Sequence, residues 1–319
     1  MLTSASRHGL ATLLLLVALA LLPPALNALG EPFYIGLGTR VLIFAIAAVS
    51  LDLILGYGGM VSLGHAAYLG VGAYTVGILS FYGVQNGFVH FLSAAAISAL
   101  VALAIGANSV RTTGIHFIMI SLAFGQMLYY LAVSVSQFGG DDGLNIDAQS
   151  AFGGLDLGDP TSLYYVSFCI LVVVLFGLDR LVNSRFGMVL RAVKSNEPRV
   201  RTIGFSPYRY KLTAFVISGT ICGIAGALLA NQNLFISPAS MHWGRSGEIL
   251  IMTILGGMGT LSGAVVGSVV YISLEYFLSR LTEHWQAVMG PLIVLVVLFA
   301  GGGLVALLAG RRVAGAGSR

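Results

Sequence analysis

Long apolar runs separated by short polar stretches organise the chain. They cover roughly 10–29, 37–56, 60–83, 88–108, 114–136, 163–182, 212–236, 261–280 and 287–309 of 319 residues. A helix of about 20 apolar residues matches the thickness of the bilayer's hydrocarbon layer. Lipid cannot satisfy open backbone groups, so every run is expected to be a helix. The pattern predicts an all-α integral membrane protein, a polytopic helical bundle. One further stretch, "GEILIMTILGGMG" at 247–259, is apolar but only about half the usual length.

The polar stretches set the orientation. Segment 137–162 holds Asp141, Asp142, Asp147, Asp156 and Asp159 and no Lys or Arg. Segment 183–211 holds Arg185, Arg191, Lys194, Arg199, Arg201, Arg209 and Lys211 against the single acid Glu197. Basic loops stay on the cytoplasmic side, so 183–211 is expected inside and 137–162 outside. Counting backwards places Arg111 and Arg7 inside, in keeping with their charge. The tail, with Arg311, Arg312 and Arg319, should also lie inside, which requires an even number of crossings. Nine long runs are odd. Segment 247–259 as a short tenth crossing, or as a re-entrant half-helix shielded by protein, repairs the count. The expectation is about 10 transmembrane segments, one of them short or re-entrant, with both termini cytoplasmic.

Composition narrows the class. Hydrophobic residues make up 57% of the chain and charged residues 9%, with mean hydropathy +0.92; a soluble domain carries about 25% charged residues. The net charge of +4 does not point to nucleic acid, because the basic residues sit in loops between spans. Cys169 and Cys222 both fall inside apolar runs, which argues against a disulfide framework. The first thirty residues are read as an uncleaved first helix ending near Pro23-Pro24. A signal peptide is the alternative, but it lacks a clean small-x-small cleavage site.

Segment 56–77, "GYGGMVSLGHAAYLGVGAYTVG", carries seven glycines and His65. Glycine in a helix interior costs up to about 1 kcal/mol relative to alanine. In a membrane that cost is offset where small residues let helices approach closely. Gly56, Gly58 and Gly59 suggest an unwound stretch near the inner end of a span; Gly70, Gly72 and Gly77 suggest a packing face. Broken helices of this kind can line transport paths, with a half-helix N-terminus facing an anion. Ser62, Gly64, His65 and Tyr68 are therefore translocation-pathway candidates. For His65 two readings stand: a neutral ring bonded to a carbonyl or serine that fixes packing, or a direct role in the path. Asp52 is expected to reach the interface, and Glu248 and Glu275 to lie near the outer surface. Gly256, Gly257 and Gly259, in "GGMGTLSG", suggest a tight turn, with a pore-lining role as the sharper alternative.

Four stretches carry a resemblance: "LDLILGYGGMVSLGHAAYLGVGAYT", "GIHFIMISLAFGQM", "SRFGMVLRAVKSNEPRVRTIGFSPYRYKLTAFVISGTICGIAGAL" and "ILIMTILGGMGTLSGAVVG". Together the chain resembles permease subunits of branched-chain amino-acid ABC importers, the LivM type. The resemblance implies one transmembrane permease domain over 1–319 in a bacterial inner membrane. It also implies four partners: a second related permease, two cytoplasmic ATPases and a periplasmic solute-binding protein. In such permeases a short cytoplasmic helix fits a groove on the ATPase. Glu197 and Gly204 match its glutamate and glycine, while Pro198, Arg199, Val200 and Arg201 replace an alanine-rich stretch. Arg191, Asn196, Glu197, Arg199 and Gly204 are the coupling candidates in the 183–211 loop.

A P-loop needs G-x-x-x-x-G-K-[ST]. The two lysines, Lys194 and Lys211, do not follow a glycine, so the chain cannot hydrolyse ATP by that route. No cofactor is expected in it; ATP and Mg belong to the partner ATPases. The reading is a permease subunit for branched-chain amino acids, working by alternating access. A urea or short-amide permease is the close rival. A stand-alone secondary transporter or channel is the rival of another class, and it would call for coupling-ion ligands within the spans. A membrane enzyme lacks a metal pair or an activated nucleophile.

Overall fold

The computed structural model describes residues 2–28, 33–146, 148–152, 155–299 and 303–304. Twelve helices account for most of them. They are α1 (Leu2–Ala28), α2 (Phe33–Asp52), α3 (Ala66–Phe81), α4 (Gly87–Ser109), α5 (Ile115–Ser134), α6 (Pro160–Val182), α7 (Arg185–Ser195), α8 (Glu197–Thr202), α9 (Pro207–Asn233), α10 (Trp243–Gly256), α11 (Leu261–Leu281) and α12 (Trp285–Phe299). A π-helical turn, Leu53–Tyr57, extends α2. Among the described residues six helices are long and apolar enough to cross a membrane, and Leu13–Asn27, Ala66–Phe81 and Trp285–Leu295 are shorter apolar helices. An all-α polytopic membrane protein accounts for this inventory.

Helix α2 is the axis of the bundle. Every residue from Val41 to Gly56 is buried. A helix apolar all round belongs in an interior, and α6, α9, α10 and α11 surround this one. Where α3 and α9 meet, glycines replace side chains. A Cβ on Gly72 would overlap the Gly223 carbonyl, and one on Gly226 would overlap the Leu69 carbonyl. This is the close approach that small residues allow in a membrane. At the other extreme, α5 meets the rest of the chain along its few buried residues, Phe117, Ser121 and Gly125.

Long-range contacts sort the loops into two ends. At one end Gln232 donates to the Gly36 carbonyl, and Arg40 pairs with Glu275 at 3.1 Å. The 137–162 segment folds over this end as short strands. β1 (Leu144–Asn145) pairs with β4 (Phe235–Ile236), and β2 (Ala151–Phe152) pairs with β3 (Leu155–Asp156). At the opposite end lie the π turn, the α4–α5 turn, the basic α7–α8 hairpin and the α10–α11 turn.

Some expectations change. The first helix runs through Pro23 and Pro24 to Ala28. The apolar run 60–83 is not one helix, since residues 58–65 leave helical conformation before α3 starts. Asp52 does not reach an interface; it is fully buried and accepts from the Gly259 N–H at 2.8 Å. The tail arginines and Asp147 lie outside the described residues.

Candidate functional site

The break at 58–65 is held by side chains from four other helices. An interrupted helix exposes backbone N–H groups that need partners. Here Ser121 Oγ of α5 accepts from the Leu63 N–H at 3.3 Å, and Ser246 Oγ of α10 accepts from the Ala66 N–H at 2.9 Å. Cys222 Sγ of α9 lies 3.5 Å from the His65 carbonyl. His65 Nε2 lies 2.9 Å from Ser50 Oγ of α2. The Ser50 hydroxyl already donates to the Ala47 carbonyl, so the imidazole is the donor, Nε2–H to Ser50 Oγ. The ring thus links the break to α2.

Gly64 sits where a Cβ would strike the Ser121 carbonyl. Ser62, Gly64, His65 and Tyr68 are all buried, and Tyr68 meets His65 and Phe215 edge-on. None of the four borders the cavities described below. The structure therefore brings these pathway candidates together as a packed, hydrogen-bonded knot. Gly70 faces Met241, while Gly72 faces α9. Gly257 (φ 122°) and Gly259 (φ 79°) take backbone conformations that side chains disfavour and turn the chain from α10 into α11. Gly256 packs against the Gly263 carbonyl.

The basic segment forms a helical hairpin. Ser184 caps α7, accepting from the Phe186 N–H, and Asn196 caps α8, accepting from the Arg199 N–H at 3.0 Å. Glu197 and Pro198 open α8, where a missing proline N–H costs nothing. Gly204 has φ 94° and closes the hairpin by donating to the Arg201 carbonyl. Arg191 and Arg199 are exposed. Glu197 is not: it bonds Arg201 at 2.6 Å and the nearly buried Lys211 of α9, leaving its side chain 20% exposed. Burial pushes its carboxyl upward in pKa, but the hydrogen bonds from Lys211 and Arg201 outweigh that and hold it below its ordinary value.

Two residues that the sequence marked only as positive charges turn out to be structural. Lys211 anchors Glu197, and Lys194 Nζ donates to the Gly56 carbonyl at 2.6 Å. They are the chain's only lysines, and that scarcity was the available signal. A cavity of about 450 Å³ lies between the hairpin and the break, lined by Gly58–Val61, Thr112–Gly114, Lys194, Glu197 and Lys211 among others. At the opposite end a cavity of about 330 Å³ is lined by Arg40, Arg245, Asn233 and apolar residues of α2, α3 and α9. Among the described residues no group of three or more His, Cys, Asp or Glu side chains could hold a metal ion.

Comparison with known proteins agrees with this architecture. A family model described as "Branched-chain amino acid transport system / permease component" matches residues 33–297. The high-affinity branched-chain amino acid transport system permease protein LivM of Salmonella typhimurium is 27% identical over 307 residues, 87% of this chain and 72% of that protein. Its Escherichia coli counterpart is 28% identical over 318 residues, 92% of this chain and 74% of that protein. The autoinducer 2 import system permease protein LsrC of an Enterobacter species is 28% identical, with coverage of 86% and 82%.

Proposed function

Since the chain belongs to the family of branched-chain amino acid transport permease components, we propose that it is the membrane-spanning subunit of an ATP-driven importer of those amino acids. The observation that carries this reading is the family match over residues 33–297, which spans the broken helix and the basic hairpin alike.

Ten helices, α1 to α6 and α9 to α12, cross the membrane in alternating directions. The end bearing the α7–α8 hairpin is cytoplasmic and the end bearing 137–162 is external, in line with their opposite charges. Helix α10, with 14 residues, is about 21 Å long, short of the hydrocarbon thickness of about 30 Å. It is shielded by α2 and α11, and the chain of antiparallel neighbours makes it the tenth crossing. Both termini then lie in the cytoplasm of a bacterial inner-membrane protein, and 1–319 forms one permease domain.

The hairpin is the docking element for one of two cytoplasmic ATPases. Arg191 and Arg199 are its exposed contacts, while Asn196, Glu197 and Gly204 give it shape. Helix α5 carries His116, Met119, Ala123, Met127 and Tyr130 along its open side. Polar groups on a lipid face are costly, so this side meets a second permease subunit along the solute path. A periplasmic binding protein delivers solute to the outer end, and ATP and Mg stay on the ATPases.

The test is reconstitution of the purified complex in proteoliposomes with binding protein, ATP and a panel of labelled solutes. ATP-dependent uptake of leucine, isoleucine and valine is expected, with none from this chain alone. Uptake of urea instead, or flux through the isolated chain, would overturn the reading.

A further inference from the structure

We propose that Lys194 is the positioning residue through which movement of the ATPase-docking hairpin reaches the helix break, by gripping the carbonyl of Gly56. The inference rests on the importer reading above. Docking itself falls to Arg191 and Arg199; Lys194, though also exposed, turns its ammonium toward the membrane domain.

Three elements converge on Gly56. Gly56 lies in the last turn of the π-helical segment Leu53–Tyr57, and the last carbonyls of a helix carry partial negative charge that favours a cation. Lys194 Nζ supplies it at 2.6 Å. The lysine stem lies along the backbone at Gly59, where an added Cβ would come within 2.9 Å of Lys194 Cγ, and Gly59 holds φ 70°. On its other side Gly56 touches the α10–α11 turn, and a Cβ there would overlap Asp52 and Gly259. Asp52 ties that turn down by accepting from the Gly259 N–H. One lysine from the hairpin therefore holds the point where α2, the α10–α11 turn and the start of the break meet.

The hairpin is joined to the spans by a second polar contact, the Glu197 pair with Lys211 of α9, and by Leu190 buried in the common core. Between the two polar contacts lies the cavity of about 450 Å³. Helix α7 also packs on α6, α9 and the π turn, but the 58–61 stretch faces this open space, so Lys194 is the polar link by which displacement of the hairpin is handed to the break. From Gly56 the path continues along 58–65 to His65 and to the Ala66 N–H held by Ser246.

The experiment uses the complete complex with its ATPases and binding protein. Lys194→Met keeps the stem against Gly59 and removes the donor; Lys194→Arg restores a donor. Three quantities are read: ATPase copurification, ATP hydrolysis with and without loaded binding protein, and solute imported per ATP hydrolysed. Lys194→Met is expected to copurify ATPase at the wild-type ratio and to hydrolyse ATP. Its import per ATP should fall by about tenfold, the change that losing one charge-assisted hydrogen bond supports. Lys194→Arg should recover most of it. Import per ATP within about twofold of wild type in Lys194→Met would overturn the proposal, as would loss of ATPase copurification, which would make Lys194 a docking contact. A wild-type complex that neither copurifies ATPase nor imports would instead remove the importer reading beneath it.

Discussion

At the scale of single residues, Glu197 decides how the hairpin sits. Its carboxylate holds Lys211, whose side chain is 7% exposed. Removing one partner of such a pair leaves the other charge without compensation, a loss of about 3–5 kcal/mol when fully buried and less here because Glu197 keeps some solvent. Glu197→Gln should therefore lower the thermal unfolding midpoint of the purified complex and weaken ATPase copurification. Adding Lys211→Met should recover part of both. The pH dependence follows from the lowered pKa of Glu197. A depressed carboxylate contributes stability above its unfolded value, 4.5, and loses it only as pH falls through the lower folded value. Copurification should accordingly be constant between about pH 6 and pH 8. The basic charge of this loop was plain in the sequence. The partners of Lys194 and Lys211 were not: Gly56 lies 138 residues from Lys194, and Glu197, 14 residues before Lys211, sits in a different helix.

At the scale of elements, glycine marks where helices touch. Gly72→Ala would place a methyl into the Gly223 backbone. Overpacking costs about 1–3 kcal/mol where the neighbour can shift, and a backbone neighbour shifts least. Gly72→Ala should lower the yield and melting temperature of folded protein in detergent. Gly177→Ala, at an exposed helical site with nothing within 4 Å, should leave both unchanged or slightly raised. Glycine clustering at 56–59 foretold the unwound stretch, since only backbone conformation was needed to read it. The extent of the break was hidden. Its amides are satisfied by Ser121 and Ser246, 58 and 180 residues away from the groups they cap, and apolar content alone made 60–83 look continuous.

At the scale of the molecule, alternating charge on successive loops is written into both sequence and fold. The acidic segment caps one end and the basic hairpin the other, so their assignment to opposite membrane faces is testable at two sites. In a Cys169→Ser background, which removes the exposed native thiol, Ser195→Cys and Asp142→Cys give one reporter at each end. An impermeant maleimide applied to intact spheroplasts should label the position-142 variant only. Labelling at position 195 would reverse the topology. The proposed tenth crossing rests on a parity argument, because positive loops must alternate with the others; the flanking of the short α10 by α2 and α11 is what the sequence did not show. One consequence follows from the two serines that grip the start of α3 from opposite sides. The Leu63 bond to Ser121, at 3.3 Å, is close to the limit of a hydrogen bond. If α5 and α10 part during a cycle, one tether has to let go. The freed amide, at the mouth of a half-helix, would then greet the carboxylate of a passing amino acid.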